Sequence, residues 1–476
     1  MALVAHRVPR PSGSLNGAVT GLLVIVAALF SAATVNASPG SAVVPIVVAG
    51  ALVALWVAIA HPTMMICAGV LAVPLEAFRP GAISPSAAVI GLAAVGGVVR
   101  WITSSPVTVP RHPAVIGFAA LVIANGAGLV FALSPSNVAR QLVVWGTLLI
   151  VVGSITQWAS RRQVLQILLA LAVCGGIAGL VAIVDPKPLT GVVFGGADVS
   201  RATGGFGSPN ALGVLLVLTA PIQLVFALRG TAVTRVVGAV CFALAIAGMA
   251  LAVSRGAFIG LGAALLVLAF WPPFRKAAFI VLPLVAVLSF AGNNPASPVA
   301  GKVVERLSEV KTAGSNNPRL VVWKAAPKMI GDRPVFGVGA LNFGAYASAY
   351  GLRFPEGVPD HAHNLLLTTA IETGFVGLFS FLGMLAALAV GLRRVMRRAT
   401  GMANAMGYAL AASLAGFFVS GLLDDALGVT PIGVAFFVTV GCAAALSLKV
   451  EPERSREVAR APRPTLRPAG SAPTPA

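Results

Sequence analysis

Apolar residues come in unbroken runs along this chain, neither alternating with polar ones nor recurring on one helical face. Run lengths near 20 residues match a hydrocarbon core about 30 Å thick. About fourteen such spans are predicted, near 18–35, 42–60, 62–78, 86–102, 114–132, 141–158, 163–184, 210–228, 235–253, 256–271, 276–291, 364–391, 403–421 and 430–448. In lipid each backbone amide must be satisfied within its own segment, so the runs are predicted to be helices of one bundle. The expected fold is therefore all-α and polytopic, with about 12–14 transmembrane helices over residues 1–450. The span at 62–78 is the least secure, because Pro74 and Glu76 fall inside it, and it also reads as interfacial.

Two polar stretches interrupt the runs. One is the Gly- and Pro-rich segment from Asp185 to Pro209. The other spans about 70 residues from Gly292 to Asp360, which is long for a structureless loop and is expected to carry structure of its own. Within it Asn317-Pro318-Arg319 reads as a helix start, with a capping Asn and Pro in the first turn. Residues 451–476 are rich in Pro, Ala and Arg without periodicity, and are expected to be a disordered tail.

Composition agrees with this reading. The 476 residues are 58% hydrophobic and 10% charged with mean hydropathy +0.93, against about 25% charged residues in a soluble domain. The net charge of +19 is distributed by side. With the N-terminus inside, Arg7, Arg10, Arg100, Arg111, Arg161, Arg162, Arg229, Arg235, Arg275, Lys276 and the cluster Arg393, Arg394, Arg397 and Arg398 face the cytoplasm. The short outer connections hold Arg79, Arg140, Lys187, Arg201 and Arg255. Both termini are thus expected in the cytoplasm and both polar loops outside. The charge reports topology, since no soluble basic face with interleaved aromatics exists for nucleic acid. Arg7 and Arg10 before an apolar run, with Val35-Asn36-Ala37 after it, resemble a signal peptide, but the many later spans favour an uncleaved anchor. Cys67, Cys174, Cys241 and Cys442 lie in apolar runs without metal-ligand spacing and read as small buried hydrophobes.

Chemistry is concentrated in few residues. The fourteen acids include no D-x-D pair, and the adjacent side chains of Asp424 and Asp425 are expected to diverge. That argues against a divalent-metal enzyme acting on a soluble sugar nucleotide. Glu372 is the one plausible intramembrane acid; it reads as a structural partner, on the far side of the helix from His363. On the outer side Arg201 leads a Gly-rich segment into a helix near Asn210, Arg255 follows Ser254 between two spans, and Arg319 opens the loop helix. Each Arg alone reads as interfacial snorkelling. Three on three segments instead suit a phosphate, which a planar guanidinium grips through two parallel hydrogen bonds. His363, expected in the first turn of a helix whose dipole keeps the ring neutral, is the candidate general base, with His361 a competing one. Asn364 is the candidate to fix its tautomer or bind a substrate hydroxyl. A lone interfacial His also reads as a merely hydrogen-bonded one.

The pattern His363-Asn364-x9-Gly374-x-x-Gly377 resembles that of the O-antigen ligase and O-antigen polymerase superfamily of integral-membrane glycosyltransferases. Support comes from Ser254-Arg255-Gly256, from Arg201 with Phe206, Pro209 and Asn210, and from Arg319 to Trp323 leading to Pro334-x-x-Gly337-Val-Gly339. The resemblance covers roughly residues 195–390, including the loop 292–361. It implies a GT-C-like bundle in the cytoplasmic membrane with an extracytoplasmic site. The donor would be a saccharide on a polyprenyl diphosphate and the acceptor a glycan, lipid or protein. Arg201, Arg255 and Arg319 would clamp the diphosphate and His363 would act as base, with Asn210, Ser254, His361, Asn364, Glu372, Gly374 and Gly377 in support. No cofactor and no metal would be needed, and a single displacement would invert the anomeric carbon. Polymerase and ligase remain equally open. From other classes, a flippase or transporter of lipid-linked saccharides fits the span count, although no repeat relates the two halves. An envelope-assembly scaffold is the third reading.

Overall fold

The computed structural model describes residues 43–78, 84–104, 110–184, 201–275, 318–354 and 357–449. The expected spans 18–35 and 276–291, the Val35–Ala37 site, residues 185–200 of the Gly-rich loop and the tail 451–476 lie outside them. The described residues fold into helices with no named strand; Phe354 and Gly357 form an isolated bridge. The helices are α1 (Val43–Ala60), α2 (Pro62–Leu71), α3 (Pro85–Thr103), α4 (Pro113–Ala127), α5 (Pro135–Trp158), α6 (Arg161–Val184) and α7 (Pro209–Arg229). They continue with α8 (Ala232–Ala252), α9 (Arg255–Ala269), α10 (Pro318–Asp332), α11 (Phe343–Ala349), α12 (Leu365–Arg398), α13 (Gly401–Gly421) and α14 (Thr430–Leu448). The chain is an all-α, multi-pass membrane protein.

Among the described residues nine helices are long and apolar enough to cross a membrane, or ten if one bent pair counts as a span. That pair corrects the sequence reading. Leu52–Ala60 and Pro62–Leu71 meet at 118°, so the runs at 42–60 and 62–78 are not two straight spans but a broken span or a re-entrant loop. Pro62 starts the second piece where an upstream helix cannot continue through it. Beyond α2 the chain tightens into a 3-10 turn, Val73–Phe78, whose Glu76 is buried against the hydroxyls of Ser84 and Ser86. A carboxylate in an apolar run is tolerable when hydroxyls satisfy it. α9, with 15 residues, is also shorter than a full span.

Two helices form the axis of the bundle. α7 and α14 are buried on nearly every side, which their unbroken apolar sequences require. Around α14 the aromatic rings interlock: Phe118 stacks on Phe437 at 3.9 Å, and Phe417 on Phe436 at 4.3 Å. Small residues set the closest approach. A Cβ on Gly260 of α9 would fall 2.6 Å from the carbonyl oxygen of Gly416 on α13, so these backbones touch in a way other residues would prevent. This contact brings the start of α9 against the end of α13.

The long polar loop is folded where it is described. Val322, Ala326 and Met329 of α10 pack with Val338, Phe343, Ala347, Leu352 and Ala362 into a small core separate from that of the bundle. It is docked by polar contacts to the end of α4 and the turn before α5: the Ala340 amide donates to Asn125 Oδ1 at 2.8 Å, and the Ser134 amide to Asn342 Oδ1 at 2.7 Å.

Candidate active site

The sequence from His361 to Asn364 is fixed by the helix it precedes. Asn364 caps α12, its Oδ1 accepting from the amides of Leu366 and Leu367 at 3.0 and 3.1 Å, while its Nδ2 donates to the Leu422 carbonyl at 3.0 Å. The Asn amide is thus engaged by the protein on both sides. α12 begins at Leu365 with Asn364 as its cap, so His363 lies just outside the first turn, contrary to expectation. His363 has φ +50°, a left-handed conformation that costs a non-glycine residue about 1–3 kcal/mol. Its neighbour is pinned on both sides: the Ala362 amide donates to Thr368 Oγ1 at 3.1 Å and its carbonyl accepts from the Trp323 indole at 2.9 Å.

A carboxylate controls the two rings. Asp424, on the segment between α13 and α14 and 7% exposed, places Oδ1 at 2.8 Å from His361 Nε2 and 3.2 Å from His363 Nδ1. The rings are 4.3 Å apart, and His361 Nδ1 lies 2.5 Å from Asp360 Oδ1. Burial works against charge on Asp424, but the hydrogen bonds from both histidines outweigh it and hold its pKa well below the usual carboxylate range. Burial likewise opposes charge on His361, yet its bonds to Asp360 and Asp424 carry its pKa well above that of free imidazole. Asp360 is exposed, so water screens its contact with His361, and the buried Asp424 contributes more. An ionised Asp424 can only accept, so the hydrogen of a neutral His363 sits on Nδ1 and leaves a lone pair on Nε2. Asp424 Oδ1 meets partners 61 and 63 residues away, while Asp425 Oδ1 accepts from the nearby Leu427 amide at 3.0 Å. Sequence reading missed Asp424. The available signal was an acid between two apolar spans on the same side as the histidines.

The arginine cluster forms where α8 ends. Val253 is left-handed, φ +46°, and turns the chain so that Ser254 caps α9. Arg201 donates from Nε to the Ala252 carbonyl at 3.0 Å, and from Nη2 to Val253 and to Asn210 Oδ1, both at 3.1 Å. Ser254 Oγ donates to the same Asn210 oxygen at 3.0 Å. Three predicted residues, Arg201, Asn210 and Ser254, thus share one network, and Arg255 is the next residue. Gly256 links this cluster to the other: a Cβ there would lie 3.5 Å from Leu423 Cβ, one residue before Asp424. Arg319 stands four residues before Trp323 on α10, so the helix presents both on one face, and Trp323 holds the histidine segment. The arginines and the histidines therefore gather at one end of the bundle.

Residues 240–382 match the family model described as O-Antigen ligase. That stretch is similar to the O-antigen ligase family. The match supports the O-antigen ligase/polymerase superfamily, and with it an O-antigen ligase- or polymerase-like membrane enzyme. It takes in Ser254, Arg255, Arg319, His361, His363, Asn364, Glu372, Gly374 and Gly377, while Arg201, Asn210 and Asp424 lie beyond its limits. No curated protein matches the chain.

Within the matched stretch the glycine pattern has a mechanical reason. α12 breaks at Gly374, φ +66°, where a Cβ would fall 2.2 Å from the Val335 carbonyl oxygen. The Pro334–Gly339 strip fills the break. Val338 and Gly339 donate to the carbonyls of Ile371 and Glu372 at 3.1 and 2.7 Å; Phe375 and Val376 donate to those of Pro334 and Val335 at 2.7 and 3.2 Å. The two glycine motifs thus replace the missing helix bonds and lock the loop onto the helix that follows His363. Glu372 Oε1 accepts from the Phe343 amide at 3.3 Å and lines a small enclosed cavity with Gln141, Thr368 and Asp425. Burial pushes the Asp425 carboxyl above its ordinary pKa.

Proposed function

We propose that this O-antigen ligase-like enzyme is a glycosyltransferase that moves a saccharide from a polyprenyl diphosphate to a glycan, lipid or protein acceptor at the outer face of the cytoplasmic membrane. The observation that carries the reading is the meeting of the arginine cluster and the Asp424-bound histidines across Gly256 and Leu423. The lipid tail of the donor stays in the bilayer while Arg201, Arg255 and Arg319 hold the diphosphate. His363 Nε2 takes the proton of the acceptor hydroxyl. The acceptor oxygen bonds to the anomeric carbon as the bond from that carbon to the diphosphate oxygen breaks, and the electron pair leaves with the diphosphate. One displacement inverts the configuration.

Charge on the leaving group is already delocalised, so the step calls for guanidinium stabilisation and one base. The scheme is metal-independent. Asp424 acts through His363, holding the tautomer that exposes Nε2. Whether the acceptor is the next repeat on the same carrier, as in a polymerase, or a different molecule, as in a ligase, is a matter of the acceptor alone.

Purified protein reconstituted with a labelled lipid-linked oligosaccharide and candidate acceptors tests the reading. The expected result is a new glycosidic bond and released polyprenyl diphosphate, unaffected by EDTA and lost in His363→Ala. Movement of the labelled lipid between leaflets without bond formation would replace the transferase by a transporter.

A further inference from the structure

We propose that His361, His363 and Asp424 form a binding site for a divalent transition-metal ion of the zinc class, and that occupancy switches the transferase off. The switch rests on the reading of His363 as the base; the site itself does not. His361 Nε2, His363 Nδ1 and Asp424 Oδ1 all lie within 4.8 Å of one another, with the oxygen 2.8 and 3.2 Å from the two nitrogens. Ligands around tetrahedral zinc, with bonds of about 2.0 Å, stand about 3.3 Å apart. An ion therefore enters with each nitrogen–oxygen gap opening by about 0.5 Å or less.

The donor set selects the ion. Two imidazoles and one carboxylate suit zinc and its neighbours, whereas magnesium and calcium prefer oxygen alone. His361 also has the outer support that metal-binding histidines use, a carboxylate on the remaining ring nitrogen, here Asp360 at 2.5 Å from Nδ1. The histidine segment is already fixed at Ala362 by Thr368 and Trp323, so little ordering remains to be supplied on binding. The two rings are 23% and 28% exposed, which leaves water access to a fourth coordination position.

The sign of the effect follows from the imidazole. A neutral ring carries one hydrogen. With Asp424 accepting from Nδ1–H, the lone pair sits on Nε2 and is available to the acceptor hydroxyl. A metal on Nδ1 uses the lone pair there, so the ring hydrogen moves to Nε2 and that base is gone. The ion also replaces the hydrogen on His361 Nε2, which leaves to solvent. No electron is transferred.

Tag-free protein stripped with chelator and titrated with cobalt(II), a spectroscopic stand-in for zinc, reads the site directly. The expected result is one equivalent bound with the visible absorption of a four-coordinate ion, lost in His361→Ala. Asp360→Ala, on an exposed side chain, should weaken binding about 10–100-fold and guards against a folding defect in the first variant. Absence of the band in the wild-type protein, or an undiminished band in His361→Ala, overturns the site. Zinc at saturation should reduce reconstituted transfer at least about tenfold, with recovery in EDTA. Unchanged or faster transfer at saturation overturns the switch. Cobalt binding by protein that transfers no sugar in metal-free buffer would refute the transferase reading and leave the metal site standing.

Discussion

Arg201 donates to two backbone carbonyls at the end of α8 and to one side-chain amide oxygen at the start of α7. His363 is held differently, by a single carboxylate brought in from beyond α13. The arginine side is a backbone device: its carbonyls remain when a nearby side chain is changed. The histidine side is a protonation device, in which one oxygen decides where two rings carry their hydrogens. Substitutions on the first side should cost binding by amounts independent of changes on the second. On the second they should be coupled, because the groups act as a unit.

The largest effect should come from His363→Ala, lowering transfer by about 10²–10⁴-fold at normal membrane abundance, measured by reconstituted turnover. Asp424→Asn keeps the shape and loses the charge; it should cost about 10²-fold or more in kcat, and the double variant should be no slower than His363→Ala. Equal slowing of the double variant by both factors would dissolve the unit. Arg255→Lys should reduce kcat/KM for the donor about tenfold, since a point charge lacks the planar fork, and that factor should multiply with the Asp424→Asn loss. Gly374→Ala should lower Tm in detergent, at a cost of more than about 1 kcal/mol, because φ +66° is strained for any Cβ and the Val335 carbonyl occupies its space.

The smallest expected effect is a pH dependence of stability. The folded pKa of His361 is raised, so its contribution is full below the free imidazole value near 6.5 and is lost as pH rises through the higher folded value. The contribution of Asp424, whose pKa is lowered, is full above the free value near 3.8 and is lost as pH falls below it. The Tm gap between the wild type and His361→Ala should therefore be widest between about pH 4 and 6.5 and shrink on the alkaline side. A gap that grew towards high pH would reverse the assignment.

Much of the bundle was legible because apolar run length and span length are set by the same bilayer. The run at 210–228 becomes α7, Pro209–Arg229, and that at 430–448 becomes α14. Hydropathy carries no information about angle, which is why the bend between Ala60 and Pro62 was hidden. In the site, scarcity made His363, Arg201 and Arg255 visible, since each is a charged or ionisable residue among apolar ones. Asp424 was hidden by distance along the chain. Its immediate neighbour was weighed as a partner, whereas its actual partners are brought in by the pairing of α12 with α13. Asn364 was legible as a special residue, but the structure gives its amide to the helix cap and to Leu422.

Transfer by this mechanism requires the two clusters to serve one lipid-linked sugar. The most direct test is a structure with a non-transferable polyprenyl diphosphate saccharide bound in a lipid nanodisc. The expected density has the diphosphate on Arg201 and Arg255 and the anomeric carbon on the side of His363 Nε2. A diphosphate bound away from both arginines, or a histidine pair facing the opposite leaflet, would contradict it.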